Sequence, residues 1–215
     1  VKSLLLIRHG QAAHQVEKLT GGWTDTDLTE LGRQQARLLA GRLRQELDEV
    51  KTRIICSDLQ RTRQTAEILS WELGLRVEFT SALREFNNGL ATGKTMEEAR
   101  QMMLEPTEPI LEWRPFPEAE NWREFYLRVA NFMDEVTKVQ ETPLILITHG
   151  GTINNIVLWW LQLELDWLYQ VKIQFPVSPA SLTVLRYNEW DEHTVERLND
   201  IAHLYVEGMA DPIEL

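Results

Sequence analysis

Leu4-Leu5-Leu6-Ile7-Arg8-His9-Gly10 and Leu144-Ile145-Leu146-Ile147-Thr148-His149-Gly150 are two short apolar runs that each end in His-Gly. Continuous runs of this kind read as strands covered on both faces. The chain between and beyond them alternates. Thr29 opens a helical pattern to about Leu47, with Leu31, Leu38, Leu39, Leu43 and Leu47 as a broken apolar stripe. Arg53 to Cys56 reads as a second buried strand, after which Ser57 or Asp58 caps a helix to about Leu73. Arg76 to Thr80 alternates as a third strand. Trp122, Phe125, Tyr126, Val129, Phe132, Met133 and Val136 recur at helical spacing, and Ile153, Ile156, Val157, Trp160 and Leu161 form another helix face. Val171 to Phe175, Ser181 to Tyr187 and His193 to Arg197 are predicted late strands, and the last dozen residues look peripheral.

Strands alternating with helices predict the α/β class, a mostly parallel sheet with helices on both faces. The chain of 215 residues reads as one domain. A loop-rich insertion at about 86–119 holds Asn87-Asn88-Gly89, Thr92-Gly93 and Pro106, Pro109, Pro115 and Pro117 around one short helix near Met96 to Leu104. Such a segment is placed to lie over a site.

A net charge of −11 argues against a nucleic-acid or membrane-surface binder, either of which needs a basic footprint. It leaves room for a small anionic partner met by a local group of arginines. One cysteine, Cys56, forms no internal disulfide, which with the absence of a long apolar run suits a cytoplasmic protein. No histidine pair has metal-ligand spacing, so neither a metal nor another cofactor is expected. The sequence assigns no oligomeric state.

In a parallel α/β sheet, ligands bind beyond the carboxyl ends of the strands. If the two His-Gly strands are neighbours, His9 and His149 share that edge. A neutral imidazole is a competent nucleophile toward phosphorus when its other nitrogen donates a hydrogen bond. The transferring group carries charge on three oxygens, so cationic donors must surround it. Arg8 is one. Arg61, in the first turn of its helix, stands where the helix dipole opposes a positive charge unless an anion binds there. Glu85, after the third strand, is placed to protonate a leaving alkoxide.

Arg8-His9-Gly10 after an apolar strand resembles the signature of the histidine phosphatase superfamily, which includes the cofactor-dependent phosphoglycerate mutases. Asp27-Leu28-Thr29-Glu30-Leu31-Gly32-Arg33-Gln34-Gln35-Ala36, Ser57-Asp58-Leu59-Gln60-Arg61-Thr62-Arg63-Gln64-Thr65-Ala66, Leu83-Arg84-Glu85 and Thr148-His149-Gly150-Gly151-Thr152 follow in the family's order, and Asn199 to Leu204 resembles its tail. The resemblance implies a three-layer α/β/α sandwich, phosphoryl transfer to His9, and Glu85 as proton donor. It also implies Arg8, Arg61 and His149 as phosphate ligands, with no metal. Gln15, Gly21, Gly22, Trp23 and Gly150 are expected to line the substrate site. Gln15 replaces the family's usual asparagine, and Trp23 stands where an arginine is common, which suggests an apolar or aromatic substrate contact. Ala119-Glu120-Asn121 matches the family's Gly-Glu-Ser region.

Three functions compete. A phosphomonoesterase lets water attack the phosphohistidine; a phosphoglycerate mutase excludes water; an anion-binding regulator does no chemistry. The insertion and its flank carry Glu105, Glu108, Glu112, Glu118 and Glu120 against Arg114, which disfavours a multiply charged substrate and favours the phosphatase. His14, His193 and His203 read as structural or solvated.

Overall fold

The computed structural model describes residues 3–47, 52–138, 143–167 and 173–205. In chain order it places β1 (Ser3–Arg8), α1 (Ala13–Val16), α2 (Glu30–Glu46), β2 (Arg53–Ser57), α3 (Gln60–Leu73), β3 (Val77–Thr80), α4 (Met96–Met102), α5 (Trp122–Lys138), β4 (Leu144–Thr148), α6 (Gly150–Trp160), β5 (Leu182–Tyr187) and β6 (His193–Asp200). Six strands form one sheet in the order β3-β2-β4-β1-β5-β6. The four strands β3, β2, β4 and β1 run parallel; β5 and β6 join antiparallel at one edge.

The two His-Gly strands are neighbours, in register from Leu4 against Leu144 to Arg8 against Thr148. Their side chains alternate between two buried layers. Leu4, Leu6, Leu144 and Leu146 meet Phe125, Val129 and Met133 of α5 and Ile153, Ile156 and Val157 of α6. Leu5, Ile7, Ile145 and Ile147 meet Ala36, Leu39 and Leu43 of α2 and Ala66 and Leu69 of α3. Burial on both faces is why these strands read as continuous apolar runs, and the result is a three-layer α/β/α sandwich.

Thr29 caps α2 as expected, its hydroxyl accepting from Gly32 N–H at 3.0 Å. The cap of α3 differs from expectation. Leu59 holds the cap position and contributes no side-chain bond. Asp58 is instead taken by Arg84 (2.6 and 2.7 Å), and Ser57 is turned toward the sheet edge. A charged or histidine partner outweighed the cap.

Among the late strands, Val171 and Lys172 lie outside the described residues and Ile173 to Phe175 are irregular chain. Residues beyond 205 also lie outside them. Within the described residues no helix is long and apolar enough to cross a membrane.

Candidate active site

Just past β1, His9 is buried, and its backbone N–H donates to Thr148 O at 3.0 Å, extending the β1–β4 ladder by one bond. Its Nδ1 lies 2.7 Å from Gly10 O. A carbonyl only accepts, so Nδ1 carries the proton and Nε2 the lone pair. Arg61 Nε, which can only donate, faces that lone pair at 3.2 Å. Burial first, then Arg61 and Arg8, hold the His9 pKa well below the ordinary histidine range. The ring is a neutral imidazole with a defined tautomer.

Gly10 makes this geometry possible. A Cβ there would lie 2.3 Å from Gly32 O, so the turn packs directly on the first turn of α2.

Arg61 is almost fully buried on α3. Its guanidinium donates to Thr24 O (2.6 Å) and Gly22 O (2.7 Å), fixing the loop before α2 to the sheet edge. Burial lowers its pKa to about 10, which leaves it cationic at neutral pH. Arg8 ends β1, and its Nη1 donates to Val177 O. Arg8 Nε is buried with no hydrogen-bond partner. His149 ends β4, its ring centroid 5.2 Å from that of His9, with Nε2 2.9 Å from Ser57 Oγ. Its Nδ1 is likewise buried without a partner. Burial, then Arg61 and His9, keep its pKa well below the usual value. Two orphaned polar atoms in one place are unusual, because each costs about 1–3 kcal/mol. A tetrahedral anion beside His9 would satisfy such groups.

Glu85 reaches the same edge from irregular chain after β3. Its Oε2 accepts from Gly151 N–H (2.9 Å) and Oε1 from Phe86 N–H (3.0 Å). A Cβ on Gly151 would lie 2.4 Å from Glu85 Oε1, so a larger residue there would displace the carboxyl group. Arg8, Glu85, Gly150, Gly151, Asn154 and the Gln174–Val177 segment line a cavity of about 500 Å³. Two larger concavities, of about 630 and 610 Å³, border the β5–β6 hairpin and contain none of the clustered catalytic candidates.

The structure therefore brings His9, Arg8, Arg61, His149 and Glu85 together, and places Gly150 on the cavity wall. The other expected substrate contacts make the following bonds within the chain. Gln15 folds back on its own turn, accepting from Ala12 N–H at 2.9 Å. Gly22 offers its carbonyl to Arg61, and its φ of +56° beside Asn88 leaves no room for a Cβ. A Cβ on Gly21 would meet the His14 ring at 3.7 Å. Trp23 donates its indole N–H to Glu85 O (2.8 Å) and lies under the Arg84 guanidinium.

Three further residues border the cluster, and for His14 the structural reading stands. His14, read as structural or solvated, is buried 6.2 Å from the His9 ring and bonded to Thr26 Oγ1 (2.9 Å). Burial, with Arg61 and Arg8, lowers its pKa to about 4. Ser57 was read only as a cap but meets His149. Asn154 pins Phe175 through both backbone groups, accepting from its N–H (2.7 Å) and donating to its carbonyl (3.1 Å). Only His14 had a sequence signal, its position one short turn after His9.

The acidic insertion is also differently occupied. Glu112 pairs with Arg123 and Glu120 with Arg128, so these carboxylates are neutralised internally. Asn121, in the Ala119-Glu120-Asn121 stretch, forms a capping box with Glu124 at the start of α5. Among the described residues no group of three or more His, Cys, Asp or Glu side chains is arranged to hold a metal ion.

A match to the histidine phosphatase superfamily (branch 1) runs over residues 4–201. The chain belongs to the histidine phosphatase superfamily. One relative, from Hydrogenobacter thermophilus, is named "Putative phosphoserine phosphatase 2"; it is 31% identical over 94% of this chain and 98% of its own. Another, "Probable phosphoglycerate mutase GpmB" of Yersinia pestis, is 30% identical over 93% of each chain. The solved mycobacterial glucosyl-3-phosphoglycerate phosphatase shares 25% identity and superposes with a TM-score of 0.73 over 92% of this chain and 98% of its own. Relatives of this family thus carry both phosphatase and mutase names.

Proposed function

We propose that this protein is a phosphomonoesterase that hydrolyses a small phosphorylated metabolite through a phosphohistidine on His9 Nε2. The observation that carries the reading is the pair of buried, unpartnered atoms, Arg8 Nε and His149 Nδ1, flanking an imidazole whose lone pair is fixed at Nε2. Arg8, Arg61 and His149 hold the phosphoryl oxygens. His9 Nε2 attacks phosphorus as the P–O bond to the leaving group breaks, and the Glu85 carboxyl gives its proton to the departing alkoxide. Water then attacks the phosphohistidine and gives a proton back to Glu85. The P–N bond breaks, releasing inorganic phosphate and neutral His9. The family's other activity, mutase transfer, differs only in what attacks the phosphohistidine.

The test is phosphate release from a panel of phosphomonoesters, together with trapping of acid-labile labelled protein, for wild type and His9→Ala. Release and labelling that both depend on His9 are expected. Release that survives the substitution overturns the nucleophile assignment. Isomerisation of phosphoglycerate with little release overturns the hydrolase reading in favour of the mutase.

A further inference from the structure

Behind Glu85, two side chains from distant parts of the chain converge on one backbone atom. Glu85 O accepts from Trp23 Nε1 at 2.8 Å and from Arg128 Nη2 at 3.1 Å. That carbonyl belongs to the peptide unit whose other end is Phe86 N–H, and this N–H donates to Glu85 Oε1. Rotating the peptide plane would therefore swing away the donor that aims the carboxyl group. Both lone pairs of the carbonyl are engaged, which resists such rotation and strengthens the opposite N–H as a donor.

Each clamp is itself anchored. Trp23 N–H donates to Asn88 Oδ1 (3.0 Å), and Arg84, bound to Asp58, covers the indole with its guanidinium carbon 4.6 Å from the ring centroid. Arg128 also donates to Ala82 O (2.8 Å) and Arg84 O (3.0 Å) and is paired with Glu120 at 2.7 Å. Glu120 in turn accepts from Asn87 N–H at 2.7 Å. The run from Ala82 to Asn87, the end of a 3-10 turn over Ser81–Leu83 and the irregular chain after it, is thus fixed from both sides.

We propose that Trp23 and Arg128 are positioning residues for Glu85, holding its peptide plane so that the carboxyl faces the leaving group. The proposal rests on the reading of Glu85 as proton donor. Neither residue touches substrate in this role.

The discriminating readout is leaving-group dependence. An alkyl phosphate such as β-glycerophosphate needs the proton; p-nitrophenyl phosphate expels a stabilised anion and needs it far less. Wild type, Glu85→Gln, Trp23→Phe and Arg128→Lys are assayed on both, with melting temperatures as a fold control. Glu85→Gln should lower the alkyl-to-aryl ratio of kcat by about a hundredfold. Trp23→Phe keeps the ring and deletes the N–H; it should lower that ratio by about tenfold, and Arg128→Lys should shift it the same way. KM should change little. If Glu85→Gln leaves the ratio unchanged, the proton-donor reading fails and this inference with it. If Glu85→Gln lowers the ratio while the two other variants leave it at the wild-type value, the positioning role alone is overturned. Should Trp23→Phe fail to fold, Arg128→Lys decides.

Discussion

His9 and His149 hang from the ends of two hydrogen-bonded strands, whereas Glu85 and the Gln174–Val177 wall are irregular chain held by side chains. On the first side, position follows from sheet register: Arg8 opposes Thr148, and the next residue on each strand is the histidine. On the second side, Trp23 and Arg128 hold Glu85, and Asn154 with Arg8 holds the wall. A register cannot be adjusted without flipping every core side chain of the strand. A side-chain clamp can be changed one residue at a time. The side that carries His9 and His149 is therefore the fixed part of the site, and the Glu85 side is the part that single substitutions can retune.

The contrast can be broken most severely at its fixed end. His9→Ala should reduce phosphate release by at least about a thousandfold, because nucleophile and intermediate vanish together. Gly151→Ala pushes on Glu85 Oε1 from 2.4 Å and should cut kcat on alkyl phosphates by about tenfold or more. Its melting temperature should change little, since the obstacle is chiefly the end of a movable side chain. Gly10→Ala is the converse. Its Cβ meets the Gly32 backbone, which cannot yield, so urea titration should show a loss of about 2 kcal/mol. Asn154→Ala releases the Phe175 wall and should raise KM a few-fold with a smaller change in kcat.

Acid should separate chemistry from stability. His9, His14 and His149 are held neutral in the fold, their pKa values lowered, that of His14 to about 4. The unfolded chain takes up those protons below about pH 6.5, so unfolding binds protons and stability falls with pH. Full stability is present above about 6.5 and is lost progressively toward 4. Urea midpoints at pH 7.5 and 5.5 measure it, and His14→Asn should lessen the drop. The kcat/KM profile, by contrast, should show no loss attributable to His9 near pH 6.5.

The sequence was readable where structure is local or periodic. The His-Gly strands, the Thr29 cap and the aromatic face of α5 follow from patterns a few residues long. The ordered motifs of the family located the five clustered residues. Unreadable were the pairings between distant segments: Asp58 with Arg84 instead of the helix cap, and the Trp23 indole N–H with the Glu85 carbonyl. Of the strand predicted over Val171 to Phe175, the described part, Ile173 to Phe175, is irregular chain whose Phe175 backbone groups pair with the Asn154 side chain.

The pairing of Leu4 with Leu144 has a kinetic meaning as well. His9 lies near the start of the chain, yet the strand paired with its own is made only after about two thirds of the chain. A nascent chain that has emerged only as far as α5 lacks β4, β5 and His149, and so both ladders of β1, and the cluster around His9 cannot assemble. Closing so long a loop is slow compared with forming the local helices. On the proposed function, phosphate release during refolding should appear only once the sheet centre is complete, after helical signal has returned.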